Sequence, residues 1–246
     1  MSELFSIQLQ NRQQQGRDGI WLDLPTTTEQ VQAALRQIGI SSDNPQGLFI
    51  SGYFAEEEKR FAIPYNMVLA SNVDELNFLA SRLETLSTGE RAELNAALQA
   101  PQSELFSIGR ITDFPENVDY YVHLPDVHGP AQLGDYYLNR SGMVDMPEEW
   151  KGGIDTAQFG RYVAQQEQGV FTEYGYLVKS GDEWQKVHEG QPVPEEYRVL
   201  SFPAPEVLQD SANIPSPVQP ETELQKVIPI ILNGKDSAER MKEITD

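Results

Sequence analysis

Cysteine is absent from the chain, which excludes disulfide bonds and thiol catalysis. Histidine occurs only three times, and no G-x-S-x-G, P-loop, G-x-G-x-x-G or H-E-x-x-H motif is present. The apolar run VIPIIL (Val227–Leu232) is far too short to cross a bilayer, and the opening MSELFSIQLQNRQQQ lacks the features of a signal peptide. We therefore predict a cytoplasmic protein that is not an enzyme, with no catalytic residue, metal or cofactor.

Acidic residues greatly outnumber basic ones. The chain has 38 Asp and Glu against 18 Lys and Arg, a net charge of −20, and residues 102–200 alone contain 17 acids and 7 bases. Phosphate contacts require clustered lysine and arginine, so the composition argues against direct binding to nucleic acid or an anionic membrane. Two interpretations remain open. The charge keeps a soluble protein dispersed by repulsion, or the acidic surface is itself the ligand of a basic protein groove.

The start of the chain predicts a small sheet. Phe5, Ile7 and Leu9 alternate with polar residues, which indicates a half-buried strand. Two further strands are predicted at Ile20–Leu24 and Gly47–Phe54.

A helix between the second and third strands is predicted to cover this sheet. Thr26 and Glu29 have the spacing of a capping box, and Gly39 suits the position after the last turn. The apolar face of the helix consists of Val31, Ala34, Leu35 and Ile38.

The rest of the chain predicts more helices and a second group of strands. Asn72 with Glu75, and Ser87 with Glu90, have capping-box spacing and begin a central helix pair. A strand at Asp119–Pro125, two helices and a hairpin turning at SGDE follow. The predicted class is α+β with three small domains and a tail. These parts are residues 1–67, 68–101 and 102–200, followed by a proline-rich linker and terminal helix at 201–246.

The hexapeptide SELFSI occurs twice, at Ser2–Ile7 and Ser103–Ile108. A duplicated domain would explain this, but the flanking sequences share little identity. Leu105, Ile108 and Ile111 fit a helical period. We therefore predict one hexapeptide in two settings, a strand first and a helix second.

Two short stretches contain residue types used in catalysis. HLPDVH places His123 and His128 on either side of Asp126, which could suggest a metal site, but no fourth ligand is evident. PEEW (Pro147–Trp150) contains paired carboxylates, which a helix N-terminus also favours. We interpret both stretches as surface features rather than as catalytic sites.

Three stretches together resemble the ArdA antirestriction proteins of conjugative plasmids and transposons, mobile genetic elements. They are GRDGIWLDLPTTTEQVQAALRQIG, SNVDELNFLASRLETLSTGERAELNAAL and LGDYYLNRSGMVDMPEEWKGGIDTAQFGRYVAQQEQGVFTEYGYL. The resemblance covers about residues 3–178. It implies an elongated homodimer of three-domain chains that mimics bent DNA and inhibits type I restriction–modification enzymes.

The resemblance also implies where the function lies. The partner would be the methyltransferase core of such an enzyme, bound through carboxylates in place of DNA phosphates, with no contact to nucleic acid or membrane. The predicted DNA-mimic surface consists of Asp113, Glu116, Asp119, Asp126, Asp135, Asp145, Glu148 and Glu149. The antirestriction motif, near the implied dimer contact, falls on Leu133, Gly134, Tyr136, Tyr137 and Leu138.

This sequence departs from the family pattern after that motif. Asn139 and Arg140 stand where acids commonly follow. The departure keeps an alternative open, in which the chain is a non-catalytic interaction module of a mobile element that binds another basic protein. In the family motif D---fGR, Asp155 is predicted to cap a helix and Arg161 to form an internal ion pair.

Overall fold

Alternating apolar residues build the first sheet. The computed structural model describes residues 4–14, 16, 18–56, 60–101 and 103–205. Within it, β1 (Phe5–Asn11) pairs antiparallel with β2 (Ile20–Leu24) on one side and with β3 (Leu48–Phe54) on the other. The side chains of β1 alternate between buried and half-buried, which confirms the predicted strand and its inward face.

The first helix, α1 (Thr28–Gln37), contacts β2 and buries the predicted apolar face. Its capping box, however, starts one residue later than predicted. The Thr27 hydroxyl accepts the Gln30 N–H, and the Gln30 side chain accepts the Thr27 N–H. Thr26 and Thr27 are both followed three residues later by Glu or Gln, so the spacing alone could not identify which threonine caps the helix. Gly39 has φ +67° after the helix, as expected.

Three helices follow the first sheet. The predicted capping boxes at Asn72/Glu75 and Ser87/Glu90 are both present. The first helix of the three was not predicted from the sequence. The bounds are α2 (Tyr65–Ala70), α3 (Val73–Leu83) and α4 (Thr88–Gln99).

The second copy of the hexapeptide does not form a strand. Ser103 to Ser107 precede a short helix, α5 (Ile108–Thr112), while Leu105 is buried in the core. The two copies therefore have different settings, as predicted, although helix begins only at the last residue of the second copy.

Three strands form a second antiparallel sheet in the order β4, β6, β5. Their bounds are β4 (Tyr121–Leu124), β5 (Val170–Thr172) and β6 (Gly175–Lys179). The predicted turn at SGDE was wrong, because the hairpin turns at Glu173–Tyr174. After Lys179 the chain packs the Trp184 ring against Tyr120 instead of forming a strand.

Three further α-helices and a π-helical turn lie between β4 and β5. They are α6 (Pro130–Asp135), a π-helical turn (Tyr136–Arg140), α7 (Glu148–Lys151) and α8 (Thr156–Glu167). The fold is thus mixed α+β with two three-stranded sheets, in agreement with the predicted class. Throughout the described ranges, no helix is both long enough and apolar enough to cross a membrane.

Two polar side chains of α3 form hydrogen bonds with segments that are far away in the sequence. Asn77 accepts the Thr26 N–H at 2.8 Å and donates to the Tyr197 carbonyl at 3.0 Å. Asp74, at the start of α3, accepts the N–H groups of Val199 and Leu200, each at 2.7 Å. The closing segment, residues 197–203, is therefore tied to the first half of the chain.

The main cluster of buried apolar side chains draws residues from Leu4 to Val199. All three predicted domains thus contribute to it, and the boundaries at residues 67 and 101 remain predictions. The predicted linker and terminal helix lie outside the described residues from position 206 onward.

Candidate functional site

The predicted acidic surface contains two kinds of carboxylate, those exposed to solvent and those buried or paired with cations. The exposed members are Asp119, Asp126, Asp145, Glu148 and Glu149. Asp119 lies in the short helical turn Val118–Tyr120 before β4, Asp126 follows β4, Asp145 precedes α7, and the two glutamates lie in α7. Asp113, Glu116 and Asp135 are buried or paired with cations, and the exposed Glu148 also lies 2.9 Å from the Lys151 amine.

Asp113 does not belong to a surface, since it is fully buried. Its carboxylate accepts the backbone N–H groups of His188 at 2.6 Å, Glu189 at 3.2 Å and Val187 at 3.3 Å. Three such bonds satisfy a buried anion. The prediction that Asp113 mimics a phosphate was therefore wrong, because this carboxylate holds a loop and cannot reach a partner.

Glu116 and Asp135 form ion pairs. Glu116 accepts a hydrogen bond from Arg82. Asp135 lies 3.2 Å from the Arg140 guanidinium and accepts the Asn139 amide at 2.8 Å. The two residues that depart from the family pattern thus both contact the one acid within the motif helix, and Arg140 offsets its charge.

Two acids that the sequence analysis did not select lie beside the predicted ones. Asp182 and Glu183 line a cleft of about 460 Å³ together with Glu116 and Asp119. SGDE had been assigned to a hairpin turn, so its acids were overlooked. The cleft brings four carboxylates of distant segments into one concave surface.

The motif residues form a close helix crossing. Leu133 and Leu138 are buried, whereas Tyr136 and Tyr137 are half-buried. A Cβ on Gly134 would collide with the Thr156 carbonyl oxygen.

The partner helix of this crossing also requires glycine. A Cβ on Gly160 of α8 would collide with the Pro130 carbonyl oxygen of α6. The two glycines therefore allow the backbones of α6 and α8 to touch.

A carboxylate shared by two tyrosines supports this helix pair. Glu167, at the end of α8, accepts hydrogen bonds from Tyr137 and, at 3.0 Å, from Tyr176 of β6. Burial and the Glu167 carboxylate raise the pKa of both phenols, so both stay protonated donors. The motif tyrosine thus links the π-helical turn to α8.

The other motif residues in α8 have separate roles. Asp155 caps the helix by accepting the N–H groups of Ala157 and Gln158, as predicted. Arg161 is exposed, and no ion pair between described residues includes it. The predicted internal ion pair of Arg161 was wrong.

The histidine loop forms no metal site in this structure. His123 has its Nε2 at 2.7 Å from the Tyr174 carbonyl oxygen, while Asp126 and His128 are exposed. Across the described part of the chain, no three His, Cys, Asp or Glu side chains are placed to hold a metal ion.

Glu93 of α4 departs from the behaviour of the exposed acids. Its Oε1 is buried without a hydrogen-bond partner among the described residues. Burial, reinforced by Glu90 and Asp119, raises the pKa of Glu93 to about 8. Glu93 is thus mostly protonated at neutral pH and adds little to the negative field.

Glu93→Gln is expected to stabilise the protein at pH 7.5 and to change little at pH 4.5. The folded pKa lies above the unfolded one, so the unfolded chain releases this proton first as pH rises from about 4.5 to 8. Stability therefore falls across that window, and glutamine removes the loss. Melting temperatures of both proteins at the two pH values check this. An equal shift at both values would contradict the assignment.

Residues 15–178, more than half of the chain, match the family described as Antirestriction protein (ArdA). The match includes β2, helices α2 to α4, the contacting helices α6 and α8, and the exposed acids of α7. A search of curated proteins finds no match. On the strength of the family match, the chain belongs to the ArdA antirestriction protein family.

Proposed function

We propose that this protein is an antirestriction protein that binds type I restriction–modification enzymes in place of DNA. Family membership implies an antirestriction function and an interaction with restriction enzymes. The observation that carries the mechanism is the set of exposed carboxylates, Asp119, Asp126, Asp145, Glu148 and Glu149, within the matched region. The chain acts by binding rather than by catalysis.

The physical basis is electrostatic. Duplex DNA carries one negative charge per about 1.7 Å of helix axis, and enzymes that bind it line their groove with lysine and arginine. A homodimer would carry twice the chain's net charge of −20, roughly that of 20 base pairs. Only part of this charge can face one groove, so the match is an upper bound.

A competition titration tests this function. A type I methyltransferase core is bound to a labelled duplex, and the protein is added at about 50 and 200 mM salt. We expect displacement that weakens at least tenfold at the higher salt, because the attraction depends on screened charge and counterion release. A folded protein that displaces no DNA at 50 mM salt would contradict the proposal.

Removing several exposed carboxylates together should weaken inhibition more than any single change. We expect Asp126→Asn, Asp145→Asn, Glu148→Gln and Glu149→Gln to be nearly silent singly. Combined, they should raise the inhibitory concentration by about tenfold or more, since charge contributions to a long-range field add up. Inhibition of the methyltransferase core is measured for each variant.

Arg140→Gln removes a positive charge and so makes the surface more negative, unlike the carboxylate variants. It frees Asp135 from its cation and should strengthen inhibition at low salt. Arg36→Gln changes an exposed residue of α1, makes the same change in net charge and serves as the matched control.

A single carboxylate whose loss abolished inhibition without unfolding the protein would disprove the distributed charge mechanism.

The Asp135–Arg140 pair also favours the alternative function. It reduces the negative charge of the motif, as expected for a chain that retains the fold but binds another basic protein. Absence of displacement by wild type, together with a gain of displacement by Arg140→Gln, would favour this alternative.

A further inference from the structure

Two arginines that form no ion pair with any described carboxylate line one concave surface of this acidic protein. Arg60 and Arg91 line a cleft of about 420 Å³ with Ser87, Thr88 and Tyr174. No ion pair between described residues includes either arginine. Among the other described basic residues, Arg12, Arg36, Arg161 and Arg198 also form no such pair, whereas six do: Arg82, Arg110, Arg140, Lys151, Lys179 and Lys186.

The protein holds the backbone around both arginines. Asn95 of α4 is buried, accepts the Ala62 N–H at 2.7 Å and donates to the Arg60 carbonyl at 3.1 Å. One turn earlier on α4, the Arg91 guanidinium lies 5.7 Å from the centre of the buried Phe61 ring. The irregular segment that carries Arg60 is thus fixed against the helix that carries Arg91.

The donors of the cleft remain available. Arg91 uses its Nε for the Leu86 carbonyl at 3.1 Å, which orients the guanidinium and leaves its two terminal nitrogens free of any bond to described residues. The neighbouring acid, Glu90, has its carboxylate turned to the Ser87 N–H at 2.7 Å. Thr88, the first residue of α4, adds an exposed hydroxyl beside the positive end of the helix.

We infer that Arg60 and Arg91 form a binding site for a small oxyanion, a phosphate or a carboxylate, between α4 and the β5–β6 turn. Guanidinium groups bind both classes through charge-assisted, bidentate hydrogen bonds. Tyr174 closes the cleft from the turn of the second sheet. The site is independent of the acidic surface and of the proposed antirestriction function.

The test compares anions at one ionic strength, because a chain of net charge −20 gains stability from any added salt. Melting temperature is measured in inorganic phosphate, in citrate and in sodium chloride. We expect phosphate, citrate or both to raise it above the chloride value in wild type. A response to phosphate alone identifies a phosphate site, and a response to citrate alone identifies a carboxylate site.

Two variants and one control locate the effect. Arg60→Gln and Arg91→Gln should each weaken anion affinity about tenfold and remove the anion-specific shift. Arg36→Gln should retain it. Arg60 is exposed, so its variant keeps the test valid if Arg91→Gln lowers stability. Broadening of the phosphate ³¹P resonance provides a direct readout. The inference is overturned if no anion exceeds chloride, or if all three variants respond alike.

Discussion

Replacing Gly160 with alanine is expected to cost about 3 kcal/mol of folding stability. The new methyl group would meet the Pro130 carbonyl oxygen at the crossing of α6 and α8, where backbone cannot move aside as a flexible side chain can. The helices would have to separate, which also pulls Glu167 away from Tyr137 and Tyr176. Denaturant unfolding of wild type and variant measures the loss.

Gly89→Ala is the matched control for this substitution. Gly89 also lies in a helix, but a Cβ there would have no atom within 4 Å. Alanine should therefore leave stability unchanged or raise it by up to about 1 kcal/mol. Equal losses in both variants would show that the close crossing does not limit stability.

Asp113→Ala is expected to cost a similar amount, about 3 kcal/mol, although the residue was selected from the sequence as a surface acid. Alanine would leave the N–H groups of Val187, His188 and Glu189 without their carboxylate acceptor. Calorimetric melting is compared with that of Asp145→Ala. The exposed Asp145 should tolerate alanine within about 0.5 kcal/mol.

In functional assays, neither Asp113→Ala nor Asp145→Ala alone is expected to weaken binding strongly. Asp113→Ala should retain salt-dependent binding at temperatures where it stays folded, because its charge is buried. A loss of binding by folded Asp113→Ala that exceeds that of the fourfold surface variant would contradict the structural role assigned to Asp113.

Local patterns in the sequence predicted local structure well. The capping boxes of α3 and α4 and the cap of α8 depend on residues within three positions of one another, so spacing was sufficient. The same reasoning failed where two frames were equivalent. Thr26 and Thr27 each have a suitable residue three positions later, but in the structure Thr27 caps α1 and the Thr26 N–H bonds to the distant Asn77 side chain.

Features that depend on distant segments were not predictable from pattern. SGDE has turn-forming residues, yet Asn117 holds the chain after it by exchanging hydrogen bonds with the Gln185 backbone. For the same reason Asp113 could not be recognised as buried, since its partners lie more than 70 residues away. Charge counting identified the acidic segment but could not separate exposed carboxylates from those that are buried or paired within the protein.

The closing segment, residues 197–203, has a consequence for the order of events during synthesis. Asn77 forms a hydrogen bond with Tyr197, Gln32 with Ser201 and Ser42 with Pro203. In each pair the partner lies more than 100 residues later in the chain. A ribosome delivers the chain from its N-terminus, so the first sheet and α3 emerge long before these partners. The nascent N-terminal half must therefore remain incompletely packed until almost all of the described chain has been translated.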